Sequence, residues 1–94
     1  MNISVIVPSY RPQSYLWECL DSLSKQTFDP QNFEIIIILN GCCEPYASEI
    51  KAYISAHLSK SIVRFVQTDT PGVSNARNIG LDLAQGEFIG FIDD

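Results

Sequence analysis

Apolar residues along this chain recur in two alternating patterns, one suited to buried strands and one to amphipathic helices. Residues 3–7 (ISVIV) form a short, nearly continuous apolar run rich in β-branched side chains, and Pro8 ends it. Such a run suits a strand buried on both faces. Leu16, Cys19, Leu20 and Leu23 then stand at i, i+3, i+4 and i+7, which predicts one helical face. Pro12 can occupy the first turn of that helix, where its missing N–H costs nothing, and the pattern fades near Gln26. Residues 28–32 read as a loop. Residues 33–39 (FEIIIIL) predict a second, strongly apolar strand, broken by Asn40-Gly41. A second helix is expected to begin around Pro45, with Tyr46, Ile50, Tyr53, Ile54 and His57 on one side. Residues 61–67 (SIVRFVQ) predict a third strand, and residues 68–72 a loop containing Pro71. The third helix is expected over residues 73–84, with Val73, Ala76, Ile79, Gly80 and Leu83 facing inward and Gly86 as its C-terminal stop. Residues 87–92 (EFIGFI) predict a fourth strand, which leads into Asp93 and Asp94.

The order is β-α-β-α-β-α-β, an α/β pattern. Connections of this length imply a parallel sheet with right-handed crossovers. In such sheets ligands bind beyond the carboxyl ends of the strands. The groups at those ends are Pro8-Ser9-Tyr10-Arg11, Asn40-Gly41-Cys42, Thr68-Asp69 and Asp93-Asp94. No GxGxxG follows the first strand and no GxxxxGK[ST] is present, so neither a dinucleotide fingerprint nor a P-loop supplies the chemistry. The first turn offers a hydroxyl and an aromatic ring instead of a nest of glycine amides.

Composition narrows the picture. With 94 residues, 46% hydrophobic and 18% charged, the chain suits a single globular domain spanning residues 1–94. The net charge of −5 argues against nucleic acid or an anionic membrane as the main partner. The three cysteines, Cys19 and the adjacent Cys42 and Cys43, show no disulfide framework or CxxC zinc spacing. A reduced, cytoplasmic setting is the simplest expectation. The apolar N-terminus lacks the basic region and cleavage pattern of a signal peptide.

Asp93-Asp94 is the sharpest chemical feature. Two adjacent carboxylates after an apolar strand are costly unless solvated or bound to a cation. Their hard oxygens suit Mg²⁺ or Mn²⁺ bridging to a diphosphate, and they also suit an ordinary acidic loop. Asn40 both donates and accepts, so it can read a base edge, while Asn-Gly is also common turn chemistry. Arg77 can fork onto a diphosphate, or it can be a helix-surface arginine. His57 suits the end of the second helix, Trp17 suits packing, and neither is expected to be catalytic.

Four stretches, in order, resemble glycosyltransferase family 2. Ile3 to Tyr10 is similar to an opening VSVIVPxYN strand. Tyr15-Leu16, Cys19-Leu20, Ser22-Leu23, Gln26-Thr27 and Phe33 to Ile36 are similar to YLxxCLxSLxxQT…FEII. The third stretch is Gly72-Val73-Ser74-Asn75-Ala76-Arg77-Asn78-Ile79-Gly80. The fourth, Ala84 to Asp94, is similar to AxGEYIxFLDxDD. Arg11 departs from the family's usual Asn, and Leu39-Asn40-Gly41-Cys42 departs from its usual DDGS.

The resemblance implies a three-layer, Rossmann-like GT-A half with strand order 3-2-1-4 and helices on both faces. It implies that Pro8, Ser9 and Tyr10 line the base pocket and that Asn40 lies where an acidic residue usually contacts the base. Arg77 would lie near the nucleotide, and Asp93 and Asp94 would begin the DxD-type motif, with Asp94 a candidate ligand for Mg²⁺ or Mn²⁺ and the main ligand, a third motif aspartate, expected beyond residue 94. The function implied is binding of a nucleotide-diphospho-sugar, with a UDP-sugar favoured, in an inverting transferase acting on a hydroxyl of a saccharide or lipid-linked acceptor. The parent is expected in the cytoplasm or at the inner face of the membrane. The chain is expected to be the nucleotide-binding portion, truncated at the DxD-type motif and inactive alone, with the catalytic base beyond its end. Its fourth strand is then an exposed edge, and self-association through it is expected. The alternatives are a free-standing nucleotide-binding module and a nucleotidyltransferase fragment.

Overall fold

A computed structural model describes residues 2–11, 14–25, 30–41 and 44–92. Its elements are β1 (Ile3–Ser9), α1 (Ser14–Ser24), a 3-10 turn (Pro30–Asn32), β2 (Phe33–Asn40), α2 (Tyr46–His57), β3 (Ile62–Thr68), α3 (Val73–Leu83) and β4 (Phe88–Phe91). All strand pairs are parallel, in the order β3-β2-β1-β4. This is the order the family resemblance implies.

Residue parity divides the core into two layers, because successive strand side chains point to opposite faces. Val5, Val7, Ile35, Ile37 and Leu39 pack with Leu16 and Leu20 of α1 and with Ala47 and Ile50 of α2. Ile6, Ile36 and Ile38 pack with Ala76 of α3. β2 is buried at every position, which explains why its sequence is apolar on both faces rather than alternating.

Proline is tolerated in β1 because of its register. Even-numbered β1 residues face β4: Phe88 N–H donates to the Asn2 carbonyl at 2.9 Å, and Ile92 N–H to the Ile6 carbonyl at 3.0 Å. Pro8 is next on that side and lies beyond the last β1–β4 pair, Ile6↔Phe91, so its missing N–H removes no ladder bond.

A buried polar network crosses the amino-terminal part of the sheet. Glu34 is fully buried in β2. The Ser4 hydroxyl of β1 donates to Glu34 Oε2 at 2.6 Å, and the Gln85 N–H donates to the same oxygen at 2.7 Å. Glu34 Oε1 faces Arg64 Nε of β3 at 3.4 Å, an ion pair rather than a hydrogen bond. The Gly86 N–H donates to Ser4 Oγ at 2.8 Å. A Cβ at Gly86 would lie 2.7 Å from both Ser4 N and Ser4 Oγ, so only glycine permits this approach.

Two expectations are corrected. α3 ends at Leu83, before Gly86, so Gly86 serves close packing on Ser4 and is not the helix stop. Val73, expected inward, is exposed. It opens α3 just after Gly72, which bonds the last residue of β2, so the first turn starts at the rim of the sheet. His57 lies in the last turn of α2 as expected; it is exposed, with its ring 4.5 Å from that of Tyr53 between centroids.

β4 is the least covered strand, with Phe88 68%, Ile89 41% and Phe91 43% exposed. Among the described residues, no helix is long and apolar enough to cross a membrane.

Ser4→Ala should lower stability by about 1–3 kcal/mol, because it strips a buried donor from Glu34 and an acceptor from Gly86. Glu34→Ala should cost about 3 kcal/mol, the low end for a broken buried pair, since the stranded Arg64 keeps contact with water. Urea unfolding followed by circular dichroism checks both. Midpoints unchanged from the wild type would remove the network from any role in stability.

Candidate functional site

The carboxyl ends of β1, β2 and β3 converge on one cluster. Asn40, the last residue of β2, is only 3% exposed. Its Nδ2 donates to the Ser9 carbonyl at 2.8 Å, and its Oδ1 accepts from the Gly72 N–H at 3.0 Å. Ser9 ends β1 and Gly72 immediately precedes α3, so one side chain joins three segments. The orientation of the carboxamide follows from its partners, because a carbonyl only accepts and an N–H only donates.

A second layer covers this junction. The Gly41 N–H donates to the Thr68 carbonyl at 2.9 Å, tying the exit of β2 to the exit of β3. Gly41 has φ +70, and a Cβ there would meet Pro71 Cβ at 2.7 Å and Tyr10 Cε1 at 3.1 Å. Glycine therefore supplies both the left-handed conformation and the room that lets Pro71 and Tyr10 close on the strand end. Thr68 Oγ1 accepts from the Thr70 N–H at 3.3 Å, which shapes the turn leading to Pro71.

Tyr10 is 49% exposed, so its ring is available to a planar ligand. The Arg11 guanidinium lies 5.3 Å from the ring centroid, and Arg11 itself has φ 47. That conformation suits Asn better than Arg, which accounts for the residue usual at this position in the resembling family. The cation–π contact partly offsets the cost of the arginine.

Arg77 is half-buried on α3 and reaches toward β4, with its guanidinium 5.6 Å from the centroid of the Phe91 ring. The first turn of α3 carries no acidic residue, and Gly72 offers no side-chain cap. The positive end of this helix therefore meets the carboxyl edge of the sheet without a side-chain anion of its own.

Of the expected site residues, Ser9 and Asn40 are bonded directly, Tyr10 packs beside them across Gly41, and Pro8 precedes them in β1. Arg77 is held against the end of β4. Asp93 and Asp94 lie outside the described residues, as do Cys42 and Cys43. Among the described residues no group of three potential metal ligands occurs. Trp17 stacks on Tyr53 with centroids 5.1 Å apart, and the Tyr53 hydroxyl donates to the Trp17 carbonyl at 3.2 Å. Burial pushes the Tyr53 hydroxyl pKa above its ordinary value. These rings join α1 to α2, in keeping with a packing role for Trp17.

Pattern reading passed over Pro71 and Gly72 as generic loop. The Pro-Gly pair directly before a helical pattern was the available signal. It also passed over Glu34, whose signal was a lone charge inside an apolar run.

The profile of Glycosyl transferase family 2 matches residues 4–94. The poly(ribitol-phosphate) beta-N-acetylglucosaminyltransferase TarS of Staphylococcus aureus is 33% identical over 99% of this chain, which spans 16% of that protein. Glycosyltransferase GlyG of Streptococcus pneumoniae is 35% identical over 97% of this chain, which spans 29% of it. The crystal structure of S. aureus TarS 1–349 in complex with UDP superposes with a TM-score of 0.85 at 34% identity, covering 99% of this chain and 27% of that one. Mannosyltransferase PcManGT from Pyrobaculum calidifontis, solved with GDP-Man and Mn²⁺, has a TM-score of 0.89 at 22% identity, covering 98% of this chain and 27% of that one, and shows the shared fold. The sheet order, the helical layers and a profile match over nearly every residue agree: the chain belongs to glycosyl transferase family 2.

Proposed function

We propose that this chain forms the nucleotide-binding part of an inverting glycosyltransferase that moves a sugar from a nucleotide-diphospho-sugar to an acceptor hydroxyl. The observation that carries this reading is the superposition of nearly the whole chain on TarS 1–349, a protein solved with UDP and with UDP-GlcNAc. It favours a UDP-sugar as donor.

In this reading Pro8, Ser9 and Tyr10 face the nucleoside, with the exposed Tyr10 ring stacking on the base. Arg77 serves the diphosphate as a fork donor. Asp93 and Asp94 face the ribose and the diphosphate, with Asp94 the candidate metal ligand. Their adjacent carboxylates are hard oxygen donors and fit Mg²⁺ or Mn²⁺. The remaining ligands would come from the phosphates, from water and from protein groups outside those described. A bound divalent ion would neutralise charge on the departing diphosphate. The acceptor hydroxyl would attack the anomeric carbon opposite the diphosphate while a base takes its proton. We place the base and the acceptor site outside residues 1–94.

The following outcomes are expected. The 94-residue polypeptide alone should bind UDP in the presence of Mn²⁺, bind GDP more weakly, and transfer no sugar. Loss of a general base alone removes about 10²–10⁴-fold of rate. Calorimetry and a transfer assay check this, and turnover above background would place the base within these residues. Tyr10→Ala should weaken UDP binding by about 1–3 kcal/mol, the worth of one base–aromatic stack. An unchanged affinity would remove Tyr10 from the base pocket.

We propose further that the polypeptide self-associates through the exposed edge of β4, where Phe88, Ile89 and Phe91 are uncovered. Glu87, Asp93 and Asp94 flank that edge and repel their counterparts in a second copy. Salt screens this repulsion, so association should rise with ionic strength. Light scattering across protein and salt concentrations checks it, and a monomer at every condition would overturn it.

A further inference from the structure

We infer that Asn40 is a positioning residue: its uncharged carboxamide clasps the end of β1 to the entry of α3, and the site depends on that side chain remaining neutral. The clasp itself rests on geometry alone. Its consequence for ligand binding rests on the nucleotide-binding reading above.

The two bonds are specific in polarity. The Ser9 carbonyl can only accept, and it faces Nδ2 at 2.8 Å. The Gly72 N–H can only donate, and it faces Oδ1 at 3.0 Å. Asparagine is the side chain of this length that is uncharged and presents a donor and an acceptor together. An aspartate has the same shape, but when ionised it sets an oxygen without a proton against the Ser9 carbonyl, in a position that is 3% exposed. The bonds join residues that lie 31 and 32 positions apart in the chain, so no local turn would hold them if the clasp opened.

What depends on the clasp is the layer above it. Tyr10 follows Ser9, Gly41 follows Asn40, and Pro71 precedes Gly72. These three residues close on one another within about a side chain's thickness, as the distances from Gly41 show. The clasp therefore sets where the Tyr10 ring stands relative to the start of α3. Asn40 acts on the nucleotide through Tyr10 rather than by reading the base edge. A carboxylate at this position could accept from a base edge, but when ionised it opens the clasp.

The experiment compares wild type, Asn40→Asp and Asn40→Ala in urea stability and in UDP affinity between pH 5.5 and pH 8. In Asn40→Asp the folded state should raise the carboxyl pKa above its unfolded value of about 3.9. A raised acid costs stability once it ionises, so the deficit against wild type is full above the folded pKa and shrinks as pH falls through it. The protonated carboxyl restores the clasp, its O–H donating to Ser9 and its C=O accepting from Gly72. Among the described residues, the ionisable groups next to these strand ends in sequence are Tyr10 and Arg11 after β1 and Asp69 after β3, and the first turn of α3 carries none. Their own titrations are common to all three proteins and cancel; their charges act on the new carboxyl alone, Arg11 opposing the rise of its pKa and Asp69 adding to it. The deficit of Asn40→Ala, which cannot regain the clasp, should not change with pH.

At pH 8 Asn40→Asp should bind UDP at least about tenfold more weakly than wild type, the loss expected when a buried polar pair is broken. The ratio should move toward one at pH 5.5. Hydrogen exchange gives a readout in any folded variant: the Gly72 amide should exchange faster in Asn40→Ala than in wild type. An Asn40→Asp that is as stable as wild type throughout and binds UDP more tightly would overturn the clasp in favour of direct base reading. A deficit independent of pH in Asn40→Asp would overturn it as well. If no variant and not the wild type binds UDP, but the pH-dependent deficit is present, the nucleotide reading falls and the clasp stands.

Discussion

One buried carboxylate holds the sheet together across its width. Taken in spatial order, Arg64 of β3, Glu34 of β2, Ser4 of β1 and Gly86 before β4 form a continuous polar chain. A charge at a fully buried position is tolerable only if its partners are in place, and these partners come from β1, from β3 and from the segment before β4. The apolar contacts of the two layers would tolerate small slips between neighbouring strands. The Glu34 network does not, because a shift of β1 or of the loop before β4 leaves a carboxylate oxygen or an N–H without its partner. Hydrophobic burial supplies the stability of this fold, and the carboxylate supplies much of its register.

The opposite end of the sheet uses the same device without a charge. Asn40 reaches from β2 to both sides, as Glu34 does, but its partners are a carbonyl and an N–H instead of hydroxyl, N–H and guanidinium. The resembling family usually has an acidic residue at this position; here the Ser9 carbonyl at the end of β1 and the Gly72 N–H before α3 are met together by an amide.

Most of the fold was legible from apolar patterning. The seven main elements stand where the runs and i, i+3, i+4 spacings placed them, with no boundary moved by more than about two residues. Strand order was not legible that way, since alternation implies parallel neighbours without saying which strands are neighbours; the family motifs supplied it. Gly86 was misread because a glycine after a helical pattern is a common stop signal. Its real constraint is a contact with Ser4, 82 positions away in the chain, which no local window contains. Val73 was misread because helical periodicity does not show where the sheet beneath a helix ends. The strand-end residues stand out in the sequence because parallel sheets place ligands there. The Asn40 bonds were not found, since both partners are backbone groups and leave no trace in residue type.

The ladder lengths have a consequence for how the chain reaches this state. β1 and β2 match over seven residue pairs, as do β2 and β3, whereas β1 and β4 match over four. The first of those four, Ile3↔Phe88, closes a span far longer than either of the others. Closing a longer loop adds only about 0.6 kcal/mol per doubling, but β4 has few pairs with which to offset it. The three-stranded unit β3-β2-β1 is therefore the natural first assembly, with β4 docking late and opening early. β4 has the least holding it down, so the edge of the sheet that it forms is the part expected to assemble last.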